Sequence, residues 1–540
     1  MAKAKKVRVR RSILELANEH KNGNTKPLDD LMRAWKGIKE LPHTDPRSFF
    51  ILGGYHGEPF RGAGWGFGNM TFWGGYCNHG NVLFPTWHRV YLLKLEEALQ
   101  SIKGCKDVML PYWDETDEFS LKNGIPWPLT DEHYTLDGKK IDNPLRSFVL
   151  PVTITDNVST DNGIYTKPKG YETVRYPLSG LVGTDEAKAA TKAHNSLYPN
   201  YKKNVGILND NVKSWLNHKT YVASDGTMHT ADILGKYRAC LNAPNYTVFS
   251  NVTSAQEWNQ VNEATVVPLE SPHNDIHLSV GGYDVSDLGD QNGNFSHIPD
   301  ANGDMGENDT AGLDPIFFFH HCNVDRMFWL WQLKWGKTDE LEVIPEYPGT
   351  NSSDNQGATP GVPPNTWLDM DSPLNPFKKS TGLIKKTYTS NDAVNIEKQL
   401  GYTYSPGSLL EDVTNQKAEK AIKGRSSKIA HISGINRAPI KGSFVVALVA
   451  NVDGERTLVG THSVLSRWSV MGCANCQTHL EVKASFPLHG FTEEAAAKAQ
   501  FETIFIHREQ DTDAFVKRAL LKSENAPKKM VKFPHKLEIR

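Results

Sequence analysis

The chain has 540 residues, with 60 Lys and Arg against 62 Asp and Glu, a formal charge of −2, and six scattered cysteines (Cys77, Cys105, Cys240, Cys322, Cys473, Cys476). That balance provides no global field to draw in nucleic acid or an anionic membrane, and so few cysteines do not make a secreted disulfide scaffold. The length exceeds the usual domain size of about 100 to 200 residues, so two or more folding units with a sizeable core are expected.

The chain opens on a basic arm, Lys3, Lys5, Lys6, Arg8, Arg10 and Arg11, which reads as a solvated terminus. The apolar stretch of a secretory signal does not follow it, and no run of about 18 apolar residues occurs anywhere. A cytoplasmic protein with no membrane partner is the expectation.

Ser12 to Glu19 and Pro27 to Leu41 show apolar residues at three- and four-residue steps, in the second case Leu31, Ala34, Trp35 and Ile38, and predict helices. Another is predicted from Pro85 to Ile102, with proline in the first turn and Val90, Leu93, Leu95 and Leu99 near one side. His88 falls in its first turns. Residues 120 to 260 mix polar loops with shorter patterns and read as surface excursions without assigned chemistry.

Ser271 can cap a helix whose first-turn proline is Pro272, setting His273 and His277 on one face. Asp314-Pro315 repeats that entry signal and opens an apolar helix through Trp335 that carries Phe317, His320 and His321. Residues 347 to 366, rich in Pro, Gly, Ser and Asn, read as a long loop. Residues 411 to 428 are charged, and strand patterns follow over 443–452, 456–468 and 478–488. The predicted organisation is a mainly α domain over 1–410, a linker over 411–435 and a β-rich domain over 436–540.

A lone histidine is most often a hydrogen-bonded core or surface residue, and 20 of them form some close pairs by chance. Here an i, i+4 pair on a helix coincides with a helix-borne His-His and with an upstream cluster flanked by aromatics. His56, His79 and His88 form one set of three; His273, His277 and one of His320-His321 form another. Six imidazoles in that pattern suit two adjacent coppers. Zinc hydrolase chemistry fits poorly, because His273-x-x-x-His277 lacks the Glu of the metalloprotease motif.

The chain resembles the type-3 copper proteins, most closely the fungal-type tyrosinases and related bacterial ones. The carriers are His56-Gly57-Glu58-Pro59-Phe60, Cys77-Asn78-His79, Pro85-Thr86-Trp87-His88-Arg89, Leu110-Pro111-Tyr112-Trp113-Asp114, Ser271-Pro272-His273-Asn274-Asp275-Ile276-His277, and Asp314-Pro315-Ile316-Phe317 through His320-His321-Cys322-Asn323-Val324-Asp325-Arg326. The resemblance spans nearly the whole length. It implies a four-helix bundle around a dicopper site that uses O2, followed by the β-rich domain. His56, His79 and His88 would bind the first copper, and His273, His277 and His321 the second, with His320 beside them. Cys77 matches the family variant in which sulfur is bonded to an imidazole carbon, here that of His79.

Two Cu(I) ions on neutral imidazoles can together reduce O2, which supplies oxidising power that side chains lack. A phenol must lose its proton to bind copper, and its unperturbed pKa of about 10 makes a positioned base useful. Glu270 and Asn274 flank His273 and resemble the family's water-holding pair; the alternative for Glu270 is a helix-start carboxylate favoured by the dipole. Phe317 is expected to pack beside the ligands, and Asp325 to hold a ligand ring or pair with Arg326.

Tyr402-Thr403-Tyr404 resembles the motif that closes the family's catalytic domain, and the β-rich segment resembles the domain that shields the copper in latent forms. Lys417 to Lys428 would then be a target for an activating protease, and Val464 or Leu465 a residue that plugs the site. Cys473 and Cys476 form a CxxC pair, read either as a disulfide or idle pair or as a Cu(I)-loading pair. The implied activity is hydroxylation of monophenols such as tyrosine and oxidation of dopa and other catechols to o-quinones, as in melanin formation; a homo-oligomer is compatible with it. The alternatives are a catechol oxidase or o-aminophenol oxidase without the hydroxylation step, and a hemocyanin-like O2 carrier.

Overall fold

The computed structural model describes the chain except residues 1–6, 58–74, 156–162, 164–165, 218, 223–227, 231, 263–264, 286–297, 299, 355–361, 364, 382–383, 415–425, 441, 453, 467–479 and 509–532. Strand β1 (Arg8–Arg10) leads into helices α1 (Ile13–Lys21), α2 (Lys26–Glu40), α3 (Phe49–Gly54) and α4 (Phe84–Gln100). A middle stretch holds α5 (Glu118–Asn123), hairpin β2 (His133–Leu136) and β3 (Lys139–Asp142), α6 (Asp185–Asn195) and α7 (Tyr201–Asn217). Hairpin β4 (Lys219–Val222) and β5 (Met228–Thr230) follows, then α8 (Ile233–Cys240), α9 (Tyr246–Ser250) and α10 (Val252–Val261). The second half begins with α11 (Glu270–Gly281) and α12 (Ile316–Trp335), hairpin β6 (Pro373–Thr381) and β7 (Ile384–Thr389), β8 (Tyr402–Tyr404) and α13 (Leu410–Thr414). The C-terminal part is β9 (Ile429–Asn436), β10 (Phe444–Val452), β11 (Glu455–Val464), β12 (Glu481–Pro487), α14 (Glu493–Lys498), β13 (Gln500–His507) and β14 (Lys536–Ile539).

Helix α2 buries the stripe Leu28, Leu31, Met32, Trp35 and Ile38 and keeps its charges outward, as an amphipathic helix should. Helix α12 is buried on every side from Ile316 to Gln332, which its near-continuous apolar sequence requires. Helix α4 packs on α2 and α12, and α12 packs on α11, so the molecule is a helical bundle with a strand-rich C-terminal part. Among the described residues no helix is long and apolar enough to cross a membrane.

Four expectations change. The middle stretch is not mere surface excursion: α7 supports α11, with Asn211 Nδ2 donating to the carbonyls of Ser279 (2.7 Å) and Tyr283 (2.8 Å). Its polar outer face dilutes the apolar period, so the sequence understates it. Ser271 does not cap α11, which begins at Glu270 with Leu269 in the cap position and no side-chain cap.

Nor is Arg10 of the basic arm solvated, although the side chains of Arg8 and Arg11 stay partly exposed. Strand β1 pairs in parallel with β8, and Arg10 is fully buried, its Nε 2.9 Å from Glu96 Oε2 and its guanidinium 3.7 Å from the Tyr402 ring centre. Asp325, finally, neither holds a histidine ring nor pairs with Arg326. It accepts from Arg89 Nε (2.5 Å), Tyr402 OH (2.6 Å) and Tyr404 OH (2.5 Å), with Arg10 Nη1 at 3.5 Å. Arg326 donates instead to Ser408 O at 2.5 Å. Two buried guanidinium groups outcompete a neutral imidazole for one buried carboxylate, because each would otherwise be left charged and unpaired.

The C-terminal part has two three-stranded antiparallel sheets, in the orders β11-β10-β13 and β12-β9-β14. Strand β9 starts at Ile429, inside the predicted linker. Strand β10 is apolar from Phe444 to Ala450 because both its faces are covered there. Phe444, Val446, Leu448 and Ala450 enter the core of the sandwich, while Val445, Ala447 and Val449 join the main core of the helical part. The period-2 alternation thus cements the sandwich to the helices.

Candidate metal centre

Helix α3 ends at Gly54, which delivers His56 into the bundle, and α4 carries His88 in its second turn. His79 sits on the loop before α4, while α11 supplies His273 and His277 and α12 supplies His320 and His321. All of these are at most 2% exposed. In the first set the ring centres of His56, His79 and His88 lie 5.2 to 5.7 Å apart. In the second, those of His273, His277 and His321 lie 4.5 to 5.5 Å apart. The sets face each other, with His88 stacked on His321 at 4.5 Å and His79 5.6 Å from His273.

Hydrogen bonds fix which nitrogen faces inward. Nδ1 of His56 contacts Asn308 O (3.2 Å), that of His88 contacts Phe84 O (2.8 Å), and that of His277 contacts Met305 O (2.9 Å). A carbonyl only accepts, so each Nδ1 carries the proton and each Nε2 presents a lone pair. Nε2 of His56 and of His88 is buried without a hydrogen-bond partner. Nε2 of His273 and of His277 each lie 3.2 Å from Nε2 of His321, and Nδ1 of His273 meets Asn274 Oδ1 at 2.8 Å.

At most one of those two short contacts can be satisfied by a proton on His321, so the cluster is frustrated without a cation. Two nitrogens bound to one cation at about 2.0 Å sit about 3.3 Å apart at near-tetrahedral angles, which matches the observed spacing. Burial and the neighbouring rings hold His56, His273, His277 and His321 far below the usual imidazole pKa, and burial takes His88 down to about 3. Neutral imidazole is the ligand form.

His320 is set apart by its partner. Its Nδ1 is 2.6 Å from Glu115 Oε1, whose other oxygen accepts from Tyr237 OH at 2.7 Å, and its ring lies parallel to that of His273 at 5.3 Å. Phe317 stacks on His321 at 4.0 Å and abuts His56 at 4.6 Å. Cys77 Sγ has ring nitrogens of His56 and His79 within 4.8 Å. Glu58 to Phe60 of the first motif, the basic stretch Lys417 to Arg425, and the pair Cys473 and Cys476 lie outside the described residues.

Glu270 is buried and accepts from Gly80 N–H (2.8 Å) and Val252 N–H (2.9 Å). Burial outweighs those two donors and pushes its carboxyl up to about 7. Glu270 and Asn274 both line a half-open cavity of about 230 Å3, and His462, Ser463, Val464 and Leu465 of the C-terminal part share its lining. Asn274 Nδ2 donates to Ser463 O at 3.2 Å, and Ser463 Oγ donates to Asp275 Oδ1 at 2.6 Å. Lys236 Nζ bridges Asp275 Oδ2 (2.5 Å) and Thr461 O (2.9 Å).

Residues 46–334 match the family model described as the common central domain of tyrosinase. A tyrosinase from Hahella sp. is 52% identical over 98% of this chain and 98% of its own length, and one from Aspergillus oryzae is 46% identical over 88% and 89%. The chain belongs to the tyrosinase family. Its fold follows that of a solved tyrosinase from Burkholderia thailandensis, with a TM-score of 0.85 and 51% identity over 99% of this chain and all of that one. As a tyrosinase-family enzyme it uses a pair of copper ions and O2, and the buried imidazole clusters fit that donor chemistry.

Sequence reasoning missed Glu115, Met305 and Asn308. Glu115 directly follows the Leu110–Asp114 motif and could have been found there. Met305 and Asn308 act through backbone carbonyls, which no side-chain pattern reveals.

Proposed function

We propose that this tyrosinase-family enzyme hydroxylates monophenols at the ortho position and oxidises the resulting diphenols to o-quinones, in a chain made latent by its C-terminal part. The observation that carries the first half is Glu270, a buried carboxyl with a pKa of about 7 beside Asn274 and one turn from His273. In this reading His56, His79 and His88 hold one copper and His273, His277 and His321 the other, and Cys77 is bonded through sulfur to His79.

The copper pair supplies the power to bind and reduce O2. Glu270 takes the phenol proton, directly or through a water shared with Asn274, and its pKa keeps it able both to accept and to return that proton near neutrality. Asn274 Oδ1 holds Nδ1–H of His273, fixing the tautomer that leaves Nε2 free for metal. Glu115 holds the ring of His320 behind the ligands, and Phe317 walls the ligands from bulk water. Glu270 is still more than a helix-start carboxylate, since both its oxygens bond backbone from other segments.

Latency is supported by the part of the cavity wall, its roof in this reading, in which Val464 and Leu465 of the C-terminal part share the lining with Glu270 and Asn274. Cleavage in the basic stretch around Lys417 to Lys428 would release it. The test is quinone formation by copper-loaded protein from L-tyrosine and from L-dopa, before and after limited trypsin treatment. Product from both, rising after cleavage, is expected. Product from L-dopa alone would make the chain a catechol oxidase, and reversible O2 binding without product would make it a carrier.

A further inference from the structure

The turn formed by residues 303–308 serves both histidine sets at once. Met305 O takes Nδ1 of His277 at 2.9 Å, and Asn308 O takes Nδ1 of His56 at 3.2 Å, so one short stretch of backbone orients a ligand on each side of the centre. Side-chain atoms of Asn308 also lie 3.7 to 3.9 Å from Cys77 Sγ. The turn lies backbone to backbone on the end of α11: a Cβ on Gly281 would stand 1.9 Å from Gly306 N. Glycine at both positions permits that approach, and Gly303 N–H donates to Gly281 O at 2.8 Å across it.

Arg508, at the end of β13, adds a side-chain tie from the C-terminal part. Its Nη1 forms an ion pair with Glu307 on the turn, and its Nη2 donates to Gly281 O on α11 at 3.3 Å. Its guanidinium lies 5.4 Å from the ring centre of Tyr283, and the residue is 5% exposed against 1% for Glu307. One planar cation thus bonds both pieces across the glycine seam. A guanidinium has the fixed fork for this, and an ammonium does not.

We propose that Arg508 is a positioning residue for the copper site, pinning the 303–308 turn to α11 so that His56 and His277 keep their inward nitrogens aligned. The C-terminal part therefore retains metal as well as covering the site, and a form that has lost it holds copper less tightly. The inference rests on the six histidines being copper ligands.

The test measures copper release from fully loaded full-length protein to an excess of a Cu(I) chelator under reducing conditions, with the urea midpoint recorded for every variant. Wild type must first show two coppers per chain; failure there would count against the ligand assignment and not against Arg508. Arg508→Met is expected to release copper about tenfold faster, the low end of the effect of losing a group bonded directly to a ligand, because Arg508 acts one step further out. Arg508→Lys should fall between the two, because it restores charge opposite Glu307 without the second bond. Gln260→Ala removes a contact to Ser485 on the other sheet, remote from the turn, and should release copper at the wild-type rate. Release from Arg508→Met at the wild-type rate, or no faster than from Gln260→Ala at matched stability, overturns the proposal. Should Arg508→Met fail to fold, Arg508→Lys decides: release equal to wild type overturns it.

Discussion

Replacing Glu270 by Gln tests the proton-transfer reading. A carboxyl with a pKa of about 7 is half ionised at pH 7 and about 1% ionised at pH 5, so a rate that needs the carboxylate falls about 50-fold across that interval. The assay is kcat/KM for L-tyrosine from pH 5 to 8, which reports groups in the free enzyme, with copper content measured on the same samples. Wild type should rise through pH 7 and then level off. Glu270→Gln should keep its copper, lose about 100-fold at pH 8, and show no rise near 7. The amide retains one oxygen for Gly80 N–H or Val252 N–H but opposes the other, so a stability loss of about 1–3 kcal/mol should accompany it. A variant that keeps the inflection, or that loses activity only in step with its copper, refutes the assignment of Glu270 as the base.

Other changes probe other parts of the molecule. Asp325→Asn removes the anion shared by Arg89 and Arg10 and should cost about 3–5 kcal/mol in urea unfolding. Burial pushes the Asp325 carboxyl up, but Arg89 and Arg10 together hold it below its usual value. Its contribution is therefore present above the unfolded pKa and is lost only as pH falls through the lower folded one, so urea midpoints at pH 5 and 7 should show no loss from this group. Lys236→Met cuts the bridge between Asp275 and Thr461 and should raise the activity of the uncut chain about tenfold, without the same gain after trypsin; equal latency would mean that the bridge does not hold the roof. The copper-loaded peptide spanning Cys77 and His79 should be lighter by two hydrogens, and an unchanged mass would exclude the thioether.

The helices that carry the histidines were legible because their signals are local: proline entries at Pro85 and Pro315 and apolar stripes that return every turn. The six-plus-one histidine pattern was equally visible, since spacing alone puts His273 and His277 on one face. Long-range pairings were not. Arg10 reads as a solvated cation in the sequence, but β1 lies beside β8, whose Tyr404 is 394 residues away. Asp325 looked like a partner for the next residue, Arg326, but a helix turns adjacent side chains apart and Arg89 comes from α4. Strand β9 was read as linker because its polar positions, His431 and Ser433, interrupt the apolar run. Backbone acceptors such as Met305 O carry no sequence signature at all.

The most direct measurement is copper stoichiometry on loaded, desalted protein. Two separate three-nitrogen sites predict two coppers per wild-type chain, and one per chain for His277→Ala, whose loss opens only the set on α11 and α12. A wild-type chain that saturates at one copper, or a His277→Ala variant that still holds two, would contradict the account.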